Sequence, residues 1–146
     1  MPTPFESAQL ILTLYDQRRE ETLRKARDFF LTFDPQTFED YVAAAMGPQG
    51  AYVRQVVTYW DMAASLVRNG AIDEKMFADA NGEFIVVFGK VEPFLPQLRE
   101  MFGNPNFLAN LEWLTLGLPD ARNRIDGTAA RIRAMLAARA AAQASA

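Results

Sequence analysis

The chain has 146 residues, contains neither histidine nor cysteine, and is 50% hydrophobic. This length fits one domain, and the missing residue types exclude disulfides, zinc sites with nitrogen or sulfur ligands, and catalysis by imidazole or thiolate. The formal net charge of -3 provides no overall attraction to nucleic acid or to anionic lipid.

The first segment, from about Phe5 to Phe33, predicts helix because apolar residues recur at helical spacing. The polar stretch at 16–21 is either the exposed middle of one long helix or a break between two shorter helices. The apolar run Leu10–Tyr15 is too short to span a bilayer, and no basic region of a secretion signal precedes it. We therefore expect a cytoplasmic location.

The pair Asp34-Pro35 predicts the N-cap and first residue of a short helix that ends near Met46. A third helix is predicted to follow the stretch 47–50 and to end at Gly70. Its face with Val56, Trp60 and Val67 is apolar and its opposite face is polar, so this is the clearest amphipathic helix of the chain.

Asp73 predicts the start of a further short helix that ends at Asn81-Gly82. The run Phe84–Phe88 is rich in aromatic and β-branched residues, which alone would indicate a buried strand. No second strand is available to pair with it, so the run is predicted to be a buried helix. This helix is expected to continue toward Phe102, kinked or restarted near Pro93 and Pro96.

Asn104-Pro105 predicts the start of another helix, and Pro119-Asp120 the start of an alanine-rich last one whose residues 139–146 form a frayed tail. The predicted fold is therefore an all-α, single-domain bundle of six to seven helices over residues 1–146, kinked near Pro93 and Pro96. The predicted core residues are Phe30, Val56, Val57, Trp60, Val67, Ile72, Phe88, Phe102, Leu111 and Trp113.

Few candidates for catalysis remain. The serines Ser7, Ser65 and Ser145 lack a histidine base and a nucleophile-elbow motif. Lys25 and Lys75 lie in charged contexts, and Lys90 is expected to extend along the apolar run beside it.

Carboxylates could bind Mg²⁺ through oxygen ligands, yet they form no cluster repeated on two helices. Asp16 and Glu20, for example, are flanked by arginines and predict a solvated face. The glycines are scattered singly, without a phosphate-binding loop. We predict no catalytic residue, no metal site and no cofactor.

Trp60-Asp61 lies in the middle of the third helix, with Trp60 on its apolar face and Asp61 on its polar face. The simplest interpretation is a core tryptophan beside a solvated aspartate. Alternatively, Asp61 lies at the edge of a groove and pairs with an arginine from another helix, such as Arg99. Trp60, Asp61 and Arg99 are therefore the candidate ligand or interface residues.

The segment 119–146 carries five arginines and two aspartates, a local charge of +3 that leaves -6 for the remainder. It has no aromatic residue for base stacking, so we expect no nucleic-acid partner and favour a solvated face or contact with an acidic protein surface. Peripheral membrane contact through this arginine-rich tail is the least favoured of these hypotheses.

Three stretches carry a resemblance: Trp60-Asp61, Leu66–Asp73 and Pro93–Arg99. Over about Trp60 to Glu100, the chain resembles a family of small bacterial all-helical proteins of unknown function. The resemblance implies an all-helical fold and brings no assigned activity or site residue.

Two functional hypotheses follow. The first is a non-enzymatic helical interaction module that associates with itself or with a protein partner, since catalytic chemistry is missing and aromatic residues are enriched at interface cores. The alternative is a carboxylate-dependent magnesium-binding hydrolase, or a small-ligand-binding protein, with a cleft near Asp61 and Arg99.

Overall fold

The computed structural model describes residues 1–146 and contains nine α-helices, one short 3-10 turn and no strand, which confirms the predicted all-α class. The chain breaks more often than expected, hence nine helices instead of six to seven. The helices are α1 Pro4–Gln17, α2 Glu21–Thr32, α3 Phe38–Met46, α4 Gly50–Arg68, α5 Glu74–Ala80, α6 Glu83–Val91, α7 Leu95–Phe102, α8 Ala109–Leu116 and α9 Ala121–Ala144.

The polar stretch near the N-terminus is a break between two helices. Glu20 is the N-cap of α2, and its carboxylate accepts hydrogen bonds from the backbone N–H groups of Thr22 at 3.0 Å and Leu23 at 2.8 Å. These bonds satisfy two of the donors that a helix N-terminus leaves open. The charged stretch therefore begins a new helix and does not extend the first.

The predicted start of α3 at Asp34-Pro35 is wrong, because a stronger cap lies three residues further on. The Thr37 hydroxyl accepts from the Asp40 backbone N–H, and the Asp40 carboxylate accepts from the Thr37 backbone N–H, both at 3.1 Å. This reciprocal capping box satisfies two backbone donors at once. The Asp34 carboxylate instead binds Arg133 of α9 at 2.9 Å.

The predicted helix start at Asn104-Pro105 is also wrong. The Asn104 side chain accepts from the backbone N–H of Asn106 at 3.0 Å, which stabilises a turn. Leu108 then adopts a left-handed backbone conformation with φ of 56°, and α8 begins only at Ala109. The local Asn-Pro signal therefore marks a turn, and α8 obtains its cap from elsewhere in the chain.

The apolar run Phe84–Phe88 is helical, as predicted, and lies inside α6. A 3-10 turn over Glu92–Phe94 follows, and α7 restarts with Pro96 in its first turn. The prolines are tolerated because the first turn of a helix has no partner for their missing N–H groups.

The core is organised around α4, which packs against α2, α3, α5, α6 and α8, while α6 also contacts α8 and α9. Eight of the ten predicted core residues are buried. The other two predictions are wrong: Phe102 is 49% exposed and Trp113 is 38% exposed. Both lie on outward faces, where the Phe102 ring contacts Phe107 and Trp113 lies under the Arg68 guanidinium.

The last helix approaches α6 closely at one point. A Cβ atom on Gly89 would lie 3.2 Å from Cγ2 of Ile125, so glycine allows the two helices to approach. Ile125 is the only fully buried residue of α9, which continues to Ala144. Fraying of residues 139–146 in solution stays a prediction.

We expect the protein to lose stability in alkali above pH 10. Burial raises the pKa of Tyr59 to about 12 and raises that of Tyr41 well above its usual value of 10.0. In the unfolded chain both phenols ionise first, so the stability present below pH 10 falls as the pH rises toward 12. Chemical denaturation at several pH values measures this slope. Tyr59→Phe should flatten it, and an unchanged slope would contradict the assignment to Tyr59.

Candidate functional site

Asp61 of α4 caps the N-terminus of α8. Its Oδ1 atom accepts hydrogen bonds from the backbone N–H groups of Asn110 at 3.0 Å and Leu111 at 2.9 Å. Its Oδ2 atom lies 3.4 Å from the Asn110 side-chain nitrogen. These are the second and third residues of α8, the positions that a local N-cap side chain normally serves. A negative charge there also suits the positive end of the helix dipole.

Trp60 lies in the core and is only 1% exposed. Its indole ring contacts the rings of Tyr59, Phe77 and Phe84, and its Nε1–H donates to the Glu83 carboxylate at 3.2 Å. Burial and a satisfied N–H are the usual state of a core tryptophan.

Arg99 of α7 pairs with Glu112 of α8 at 3.1 Å, and its Nε–H donates to the Phe107 carbonyl at 3.0 Å. The structure therefore joins Arg99 to α8 without pairing it to Asp61, although both side chains contact the same segment. A role of Trp60, Asp61 and Arg99 in ligand binding or at an interface stays a prediction.

A second group of polar side chains was not predicted from the sequence. Glu83, at the start of α6, accepts two hydrogen bonds from Nε of Arg27, at 2.9 and 3.1 Å, and one from its Nη2 atom at 2.7 Å. The side chains of Arg27 and Glu83 are 24% and 27% exposed, and hydrogen bonding to Glu83 raises the pKa of the Arg27 guanidinium. Planar arginine–carboxylate pairs of this kind are strong because both members are charged.

Arg18 lies next to this pair, in the break between α1 and α2. Its guanidinium lies 5.4 Å from the centre of the Tyr15 ring and 5.3 Å from that of the Trp60 ring, distances typical of cation–π contacts. One Nη atom donates to Asn81 at 3.3 Å and the other lies 3.7 Å from Glu83. Its Nε atom is buried and has no hydrogen-bond partner.

Above these side chains lies an open pocket of about 220 Å³. Its walls are one aromatic residue and four arginines, namely Tyr15, Arg18, Arg19, Arg24 and Arg27. We call this feature the arginine pocket. The sequence does contain an indication of this pocket, namely four arginines from position 18 to position 27. The polar appearance of the stretch led to its interpretation as a solvated face, and the partners on α4 and α6 are distant in sequence.

Lys90 of α6 reaches the C-terminus of α2. Its ammonium group donates to the carbonyls of Phe30 and Leu31, each at 2.9 Å, and to that of Phe33. Burial lowers the pKa of Lys90 to about 8. The contacts give the lysine a structural role, because a cation at the end of a helix binds carbonyls that have no partner within the helix.

The outer face of α1 is apolar and uncovered. Phe5, Leu12 and Tyr15 are 70%, 66% and 59% exposed and follow one another at helical spacing, with Ala8 between them. The opposite face carries the buried residues of α1, Ser7 and Leu14. Only one face of α1 is therefore used to hold it on the domain.

None of the nine helices combines the length and the apolarity that a bilayer crossing demands. No three carboxylates come together in an arrangement that could hold a metal ion.

The fold and the sites above are those of a small helical domain without assigned chemistry. The model of the domain of unknown function DUF4760 matches residues 4–117, and the chain belongs to this family. The predicted membership of a family of unknown function is thus confirmed, and the match is longer than the segment from Trp60 to Glu100. Neither the curated proteins nor the solved structures include a match.

Proposed function

We propose that the protein is a non-enzymatic interaction domain that associates with itself through the outer face of α1. The observation that supports this proposal is the row of three large apolar side chains on one helix face, each more than half exposed. Contiguous exposed apolar surface of this kind is typical of protein contact sites. A cytoplasmic location is part of the same proposal.

The occupant we propose is α1 of a second copy. In an antiparallel pair of α1 helices centred between Ala8 and Leu12, Phe5 of one copy faces Tyr15 of the other and Ala8 faces Leu12. Aromatic residues then meet at both ends, and a small residue receives a large one near the middle. A two-fold contact uses the same patch on both copies, so the patch must fit itself. The pairing of Phe5 with Tyr15 and of Ala8 with Leu12 meets this condition.

The charge of α1 favours a protein over a membrane surface. Its only charged residues are Glu6 and Asp16, both acidic. Helices that lie on membranes usually carry lysine and arginine on their polar face, because these attract anionic lipids. Within α1, no lysine or arginine accompanies the apolar face.

The proposal predicts that sedimentation velocity detects a concentration-dependent dimer, and that Leu12→Arg abolishes it. The substitution places a charge at the centre of the contact, where it would be desolvated without a partner. Thr13→Arg adds the same charge to the next position, away from the apolar row, and is the matched control. It should leave the dimer intact.

A wild-type protein that stays monomeric at every concentration would contradict self-association. Equal loss of the dimer in both variants would indicate that the contact is not centred on the apolar row. Both positions are exposed, so both variants should fold as the wild type does. Circular dichroism of each variant checks this.

The alternative of a magnesium-dependent hydrolase at Asp61 has no observation in its favour. Both Asp61 oxygens already face donors of α8.

A further inference from the structure

We propose that the arginine pocket between α1 and α2 binds a small phosphate-bearing anion. The pocket is separate from the outer face of α1, although Tyr15 borders both. The proposal does not depend on self-association.

The charge of the pocket carries the inference. Four guanidinium groups line it, and no carboxylate does. Outside the lining, Glu83 neutralises Arg27 and part of Arg18, and Asp16 lies 3.4 Å from Arg19. Glu83 and Asp16 are the only salt-bridge partners of the four arginines, so a bound anion would lower the repulsion among their charges.

Two donors in the pocket region are unused. Arg24 makes no salt bridge and no side-chain hydrogen bond, and the carboxylate of Glu20, one turn before it, accepts from the backbone of α2. The Nε–H of Arg18 is buried without an acceptor, a state that costs about 1–3 kcal/mol. Arg24 and Arg18 both line the arginine pocket, so both have donor capacity near a bound anion.

The concavity next to the arginine pocket is less suited to an anion. It shares Arg24 and Arg27 with the arginine pocket, but its lining also includes the carboxylates of Asp28 and Glu83. These acids would repel a phosphate, so the positive potential is concentrated on the side of Arg18 and Arg19.

Geometry and size then select the ligand class. A phosphate group carries a charge near -2 and offers several acceptor oxygens, which match the planar fork of arginine donors. At about 220 Å³ the pocket is smaller than the roughly 300–1,000 Å³ of sites for drug-sized ligands. The site therefore suits inorganic phosphate or a small phosphomonoester.

Calorimetric titration of the full chain with inorganic phosphate, at constant ionic strength, tests the site. We expect binding to the wild type and binding weakened roughly tenfold or more in Arg24→Gln, because one charge-assisted contact is lost. Arg24 has no partner within the protein, so this variant should fold normally. Arg139→Gln removes an arginine of α9 that is also exposed, and it is the matched control that should bind as the wild type does.

Nuclear magnetic resonance of the arginine Nε–H groups localises the contact. Phosphate should shift the resonance of Arg18 in the wild type and should shift it much less in Arg24→Gln. Two results would overturn the proposal: no binding of phosphate by the wild type, or equal affinity of the wild type and Arg24→Gln. A loss of the dimer in the Leu12→Arg protein with phosphate binding retained would separate this site from the proposed interface.

Discussion

Replacing Glu83 with glutamine is expected to lower the free energy of unfolding by about 2 kcal/mol. The substitution keeps the shape of the side chain and an oxygen for the Trp60 indole, but it removes the only carboxylate bound to Arg27. Removing one partner of a fully buried ion pair costs about 3–5 kcal/mol, and the lower figure reflects the exposed quarter of each side chain.

Lys75 and Asp79 provide the control for this prediction. Their ion pair has a similar length, 2.6 Å against 2.7 Å, but its side chains are 85% and 64% exposed. Because water screens exposed pairs, Asp79→Asn should leave the free energy of unfolding nearly unchanged. Urea denaturation of both variants measures the difference. If Glu83→Gln proved as mild as Asp79→Asn, the Arg27–Glu83 pair would contribute no more than a surface pair.

Asp61→Ala is expected to destabilise the protein by about 2 kcal/mol, at the upper end of what loss of a helix cap costs. Two backbone N–H groups of α8 lose their acceptor together, and the contact between α4 and α8 loses its polar anchor. Asp61→Asn keeps an oxygen for the two backbone N–H groups and should cost clearly less, since it loses only the interaction with the helix dipole and the long contact with the Asn110 side chain.

This pair of variants also separates two roles of Asp61. A residue that serves as a cap loses little when asparagine replaces it, whereas a residue whose charge binds a cation loses its function. Thermal and urea denaturation report the stability. An Asp61→Asn protein as unstable as Asp61→Ala would show that the charge, and not the acceptor, is what the fold needs.

Features that depend on neighbouring residues were predictable from the sequence. Asp73 caps α5 by accepting from the Met76 backbone N–H at 2.8 Å, and Gly70 adopts a left-handed conformation with φ of 77° directly after α4, as its position predicted. The burial of Trp60 also followed from its place on an apolar helix face. Such signals act within one or two turns, so a single sequence contains all their parts.

Features that join distant segments were not predictable in the same way. Asp61 caps α8 from 49 residues away, and Lys90 reaches the carbonyls of α2 across about 60 residues. The arginine pocket lies at a helix break, and two of its arginines contact Glu83 of α6, which lies outside its lining. No spacing rule relates these positions, because the packing of helices alone brings them together. Phe102 and Trp113 were placed in the core for the same reason, since apolar character alone does not show which way a helix face points.

The cap that Asp61 provides has a consequence for how the chain folds. With eight residues and a left-handed residue before it, α8 is too short to persist alone, because isolated helices of fewer than about 12 residues are marginal in water. Its first turn becomes favourable only once α4 has presented its carboxylate. We therefore expect α4 to form before α8, which then docks on it. The loss of Asp61 should then appear mainly as faster unfolding if α8 docks after the rate-limiting step, and mainly as slower folding if the docking is part of it.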